Sequence, residues 1–84
     1  VKWLIRWSHE SSRNLDRLDP DVADRVLQAL DRFAIEGAGD VRRLAGIDPP
    51  EYRLRVGKWR IRFQINHADE TIDILHVLRR DEAY

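Results

Sequence analysis

From Tyr52 to Phe63 every charged side chain is basic: Arg53, Arg55, Lys58, Arg60 and Arg62, with no acid among them. Gly57-Lys58 in the middle of this segment reads as a two-residue turn joining strands over residues 52–56 and 59–66. Such a turn sets Val56 opposite Trp59, Arg55 opposite Arg60, Leu54 opposite Ile61 and Arg53 opposite Arg62. Alternation then puts Tyr52, Leu54, Val56, Trp59, Ile61, Phe63 and Ile65 on one face and four arginines on the other, in two directly opposed pairs. Like charges facing each other across a sheet are destabilising. One reading is an ordinary wet face, although such faces usually mix signs. The other is an anion site, for which RNA phosphate is the obvious anion, because guanidinium is a fixed, always protonated fork.

The last residues, Leu78-Arg79-Arg80-Asp81-Glu82-Ala83-Tyr84, carry the second set of candidate groups. Taken alone they form a solvated, charged terminus. A tyrosine beside arginines can also stack on an unpaired base. Of the three histidines, His9 and His67 read as a helix-start and a loop residue. His76 is expected on the core-facing side of the last strand, opposite Ile61, as a hydrogen-bonded structural histidine. Their spacing has no metal-ligand pattern, and no Gly-rich phosphate loop or Ser-His-Asp set is present. Trp3, Trp7 and Trp59 sit at core-type positions and read as packing.

These groups need a scaffold, and hydrophobic periodicity supplies one. Trp3, Ile5 and Trp7 alternate with polar or outward positions in a first strand over residues 2–7. A short helix is expected over about residues 10–18, stopping before Pro20. Asp19-Pro20 then caps and opens a second helix. Val22, Val26, Leu30 and Phe33 form its apolar stripe, and it ends near Gly37, with a turn to Asp40. Residues 41–46 (VRRLAG) read as one short helical turn, and Asp48-Pro49-Pro50 as loop. Residues 67–70 turn the chain into a last strand that runs to about Leu78. The expected class is α+β: two N-terminal helices packed on one face of an antiparallel sheet, in the order β-α-α-β-β-β, with residues 1–84 as a single domain.

Composition narrows the function classes. The chain has 84 residues, and a domain of that size hides only about 60% of its unfolded surface. No cysteine is present, which removes disulfides and thiolate metal sites and fits a reducing cytoplasm. Charges interrupt the apolar start Val1-Lys2-Trp3-Leu4-Ile5-Arg6, so it is not expected to be a signal peptide, and no apolar run approaches the roughly 20 residues of a membrane helix. Net charge is zero, which argues against a generic nucleic-acid coat protein and leaves a local basic face as the way to hold a phosphate backbone.

Leu44-Ala45-Gly46, then Tyr52-Arg53-Leu54-Arg55-Val56-Gly57-Lys58-Trp59-Arg60-Ile61, then Ile74-Leu75-His76-Val77-Leu78-Arg79-Arg80 and Tyr84 together resemble the RelE/ParE toxins, and the resemblance covers essentially the whole chain. It implies a cytoplasmic toxin of a type II toxin-antitoxin system. In RelE-type members an arginine after the hairpin turn contacts the scissile phosphate, and Arg60 matches it. A second arginine after the last strand assists as acid or phosphate ligand, matching Arg80. A tyrosine a few residues later stacks on or orients the RNA, matching Tyr84. Arg53, Arg55, Lys58, Arg62 and Arg79 are the accompanying phosphate-binding candidates.

Two departures stand out. The strand before the turn often carries lysines in relatives and here carries Arg53 and Arg55. Many relatives have a histidine where this chain has Arg79. Arginine, which stays protonated at any physiological pH, is a poor general base. The implied activity is a metal-independent, cofactor-free endoribonuclease cutting mRNA on the ribosome. Its partner is a cognate antitoxin covering the basic face. The rival implied by the same resemblance is a ParE-type binder that inhibits DNA gyrase and cleaves nothing.

Overall fold

The structure, a computed structural model, describes residues 3–81. Its elements run β1 (Leu4–Trp7), α1 (His9–Asp16), α2 (Pro20–Glu36), β2 (Asp40–Arg43), β3 (Tyr52–Val56), β4 (Trp59–Asn66) and β5 (Thr71–Arg79). The strands form one sheet in the order β1-β5-β4-β3-β2. The expected β-α-α order followed by a meander is present, with helices on one face. The sheet is mixed, because β1 runs parallel to β5 while all other neighbours are antiparallel.

Ser8 opens α1 by accepting a hydrogen bond from the Ser11 backbone amide at 3.0 Å, which satisfies one of the free amides of the first turn. Pro20 at the first position of α2 is preset for helical φ and gives up no needed amide. Gly37 closes α2 at φ 69°, a left-handed C-cap that glycine adopts without a Cβ penalty. Val26 and Leu30 of the expected stripe are fully buried, and Val22 and Phe33 pack at the rim. The core joins them to Leu54, Ile61, Phe63, Ile72, Ile74 and Val77 from the sheet. Phe63 lies between aromatic neighbours, with ring centroids 5.4 Å from Phe33 and 5.6 Å from Tyr52.

Residues 41–43 correct the sequence reading: with Asp40 they form an edge strand on β3 and not the start of a helical turn. A single helical turn is unfavourable by itself, since nucleation fixes several dihedrals for one hydrogen bond. The free edge of β3 offers ladder partners instead, and Val41 pairs with Leu54 while packing on the core. Gly39 leads into this edge at φ 151°, and a Cβ there would stand 2.9 Å from the Leu54 side chain.

α1 has a further role that periodicity does not reveal. β1 covers the outer edge of β5 only from Thr71 to Ile74. Beyond that point α1 side chains take over the ladder. Ser8 and Ser11 donate to the carbonyls of Leu75 and Ile74 at 3.2 and 3.0 Å, and the Val77 amide donates to Asn14 Oδ1 at 3.0 Å. No helix among the described residues is long and apolar enough to cross a membrane.

Candidate nucleic-acid interface

The Gly57-Lys58 turn is built as expected. Gly57 takes φ 58° and Lys58 stays in the negative-φ region, the II′ pattern whose twist matches the flanking strands. The pairs Val56–Trp59, Arg55–Arg60, Leu54–Ile61 and Arg53–Arg62 all form. Leu54, Ile61 and Phe63 are in the core, so the four arginines share the opposite face.

That face is not a bare wet surface. Arg53 and Arg60 are only 9% and 6% exposed. Arg60 curls back on the turn, its Nη1 donating to the carbonyls of Gly57 and Trp59 at 2.9 and 3.0 Å. Arg53 donates to the Asp40 carbonyl at 3.2 Å, and Asp40 carboxylate oxygens lie 3.5 Å from both Arg53 and Arg55. Arg62 donates to Glu51 at 2.7 Å, in a pair largely withdrawn from water. Its Nε is buried with no partner among the described residues. Two carboxylates therefore relieve the repulsion of the opposed pairs, leaving Arg55 the most exposed of the four.

Arg80, Lys58 and Arg60 are brought together at the hairpin tip. The Arg80 amide donates to the Lys58 carbonyl at 2.8 Å, pinning the segment after β5 to the turn. Lys58, Arg79, Arg80 and Asp81 line an open notch of about 330 Å³ there. Arg79 pairs with Trp59, so its register is that of the helix-packed face; its exposed side chain lies 3.8 Å from Asp81. Arg53 and Arg62 stand one row farther from the tip. Tyr84 lies outside the described residues.

Three groups were missed or misplaced by sequence reasoning. Glu51 stands two residues before Arg53, so extending the strand alternation back by one step would have placed it on the same face. Asp40 had no such signal, because β2 was read as helical. His76 is corrected outright: a bulge between the Arg62–His76 and Phe63–Ile74 pairs inserts Leu75, so Val77 and not His76 stands opposite Ile61. His76 instead faces Arg62 on the arginine side.

At the other end of the same face, Arg6 grips Asp73 through two hydrogen bonds of 2.9 Å, and Thr71 donates to the same carboxylate at 2.9 Å. The bond from Arg6, aided by that from Thr71, holds the Asp73 carboxyl below its usual range despite partial burial; the Arg6 guanidinium is raised in turn. Among the described residues no group of three or more His, Asp or Glu side chains is placed to hold a metal ion.

Residues 5–84 match the family model described as the ParE toxin of the type II toxin-antitoxin system parDE. No curated protein sequence matches the chain. Among solved structures, the chain is similar to the toxin-antitoxin complex RelBE2 from Mycobacterium tuberculosis, at 23% identity and TM-score 0.82, covering 95% of this chain and 100% of that one. It is similar to the archaeal RelE-RelB complex from Pyrococcus horikoshii at 25% identity and TM-score 0.79, covering 99% and 100%. A mutant of the E. coli toxin RelE in the free state shares the fold at 13% identity and TM-score 0.77, covering 99% and 88%. A hairpin of opposed arginines, a post-strand arginine pinned to its turn, and a family match over nearly the whole length agree: this chain belongs to the RelE/ParE family of type II toxin-antitoxin toxins.

Proposed function

We propose that this toxin is a metal-independent endoribonuclease that cuts mRNA, with the ribosome holding the substrate. The observation that carries the reading is the bond from the Arg80 amide to the Lys58 carbonyl, which gathers Arg80, Lys58 and Arg60 at one hairpin tip. Arg60 and Arg80 would meet the charge that builds on the phosphorus as the 2′-hydroxyl attacks, and fixed donors aimed at developing charge are a large catalytic term. Lys58, Arg55 and Arg79 would hold flanking phosphates, with Arg53 and Arg62 as a second row. Two of the similar structures are toxin-antitoxin complexes, which supports a cognate antitoxin that masks this basic tip.

Tyr84 would stack on the base beside the scissile bond. Stacking is worth about 1–3 kcal/mol per base, or roughly ten- to a hundredfold in rate if made mainly in the transition state. Single-turnover cleavage on programmed ribosomes by the full chain and by the chain ending at Ala83 checks this: a fall of about that factor is expected. Equal rates remove Tyr84 from the site.

A second reading is favoured by two observations. The family model bears the ParE description, and Arg60 and Arg53 are turned onto turn and strand carbonyls. On that reading the protein binds DNA gyrase and cleaves nothing. Brief expression followed by mapping of cellular RNA ends separates the two. New ends inside reading frames support the nuclease; intact messages with inhibited supercoiling assign the toxin to gyrase.

A further inference from the structure

Cleavage through the 2′-hydroxyl needs a group to take its proton, and guanidinium is unsuited to that. The carboxylates beside the basic face are already engaged, Asp40 with Arg53 and Arg55, Glu51 with Arg62. β5 carries another candidate. Ile74 and Val77 are both core residues although three positions apart, which strict alternation cannot arrange. The bulge at Leu75 reconciles them and turns His76 onto the arginine face. There it is half-buried and directly across from Arg62, at a Cβ separation of about 5 Å, and diagonal to Arg60 at about 7–8 Å.

Its surroundings are few. From β4 the charged neighbours are Arg62 and Arg60, with Glu51 behind Arg62. Ser8 and the α1 residues Ser11 and Asn14 hydrogen-bond β5 at this level, and Arg17, just past α1, lies beside Val77 and Leu78. β1 ends opposite Ile74, and its Arg6 is held by Asp73. On its own strand, Arg79 lies on the other face by register.

We propose that His76 is the general base of the ribonuclease reaction, an inference that rests on the nuclease reading above. The neutral imidazole accepts the 2′-hydroxyl proton as the 2′-oxygen bonds to the adjacent phosphorus. The bond from phosphorus to the 5′-oxygen breaks, and that oxygen takes a proton from water. The imidazolium returns its proton to the hydroxide left behind. The products are a 2′,3′-cyclic phosphate and a 5′-hydroxyl end. Histidine suits the step because an imidazole nitrogen can accept a proton and give it back.

The test is single-turnover cleavage on programmed ribosomes by the wild-type chain, His76→Gln and His76→Asn, across about pH 5.5–8.5, with thermal midpoints measured for each. The wild-type rate should rise with pH through the imidazole range and level off. Both variants should fall about 10²–10⁴-fold and lose that inflection. If one variant fails to fold, the other carries the comparison. A folded variant that keeps the inflection, at any rate, overturns the assignment, because a merely structural histidine would change the rate and not the profile. A wild type that cuts no RNA overturns the nuclease reading and this role together. A wild type that cuts, beside variants with its profile, overturns only the role of His76.

Discussion

Arg60, proposed above to meet the scissile phosphate, is also tied to the fold. Its guanidinium closes the hairpin turn through two carbonyls. Arg60→Ala removes bonds made by a charged donor and should cost about 1–3 kcal/mol of stability, less the relief of repulsion from Arg55. It should also lower cleavage about 10²–10³-fold if it faces the phosphoryl oxygens. Arg60→Lys keeps the charge without the fork, so it should recover stability in urea melts more fully than it recovers rate. Asp73 gives a second test at this scale. Its carboxyl is held below the usual range by Arg6 and Thr71, so the folded state binds its proton less readily than the unfolded chain. The stabilisation is therefore full above the ordinary aspartate range and is lost as pH falls through the depressed folded value. Thermal midpoints should drop across that acid window in the wild type, and Asp73→Asn should lack that component. An identical pH dependence in both proteins would contradict the pairing.

The elements show where sequence reading succeeds and where it stops. The β3–β4 hairpin was legible because Gly57-Lys58 fixes the register and alternation does the rest. α2 was legible from Pro20, the stripe through Leu30 and Gly37. β2 was not, because Val41-Arg42-Arg43 has no strong preference by itself and is decided by the open edge of β3. The β5 bulge was not, because only the simultaneous burial of Ile74 and Val77 demands it, and that requires the sheet to exist. The same limit hid the role of α1, whose serines and asparagine look like polar surface residues. Ser11 is fully buried and hydrogen-bonded to the Ile74 carbonyl. Ser11→Ala removes the hydroxyl's bond but leaves the Ile74 carbonyl the Ser8 backbone amide at 3.1 Å, and should destabilise the protein by about 0.5–1.5 kcal/mol. Hydrogen exchange should show the loss concentrated in β5 near the bulge; an unchanged melting point would mean that water replaces the hydroxyl.

At the scale of the molecule, zero net charge coexists with a cationic hairpin tip because the acids, Asp81 beside Arg79 apart, lie elsewhere or are paired on the sheet face. Binding to RNA should thus be local, with few counterions released. If Lys58, Arg60 and Arg80 make the main phosphate contacts, the logarithm of affinity for a short single strand should fall with the logarithm of salt at a slope of about −2. A slope several times steeper would mean that far more of the surface touches RNA than the tip provides. The candidate site was legible from sequence as Arg60 and Arg80 through the family pattern. Their convergence was not, since it depends on the Arg80 amide meeting the Lys58 carbonyl.

The parallel pairing of β1 with β5 has a practical geometric consequence. Leu4 starts opposite Thr71, while β5 ends at Arg79 beside the hairpin tip. Nine residues of extended chain separate the two ends of β5, a span of roughly 26 Å. A purification handle or fluorophore joined ahead of β1 therefore leaves from the end of the sheet remote from Lys58 and Arg60. One joined after Arg80 leaves from the tip itself. Labels for binding or imaging experiments belong on the N-terminal side, and a bulky C-terminal fusion should act as a steric plug that attenuates the toxin.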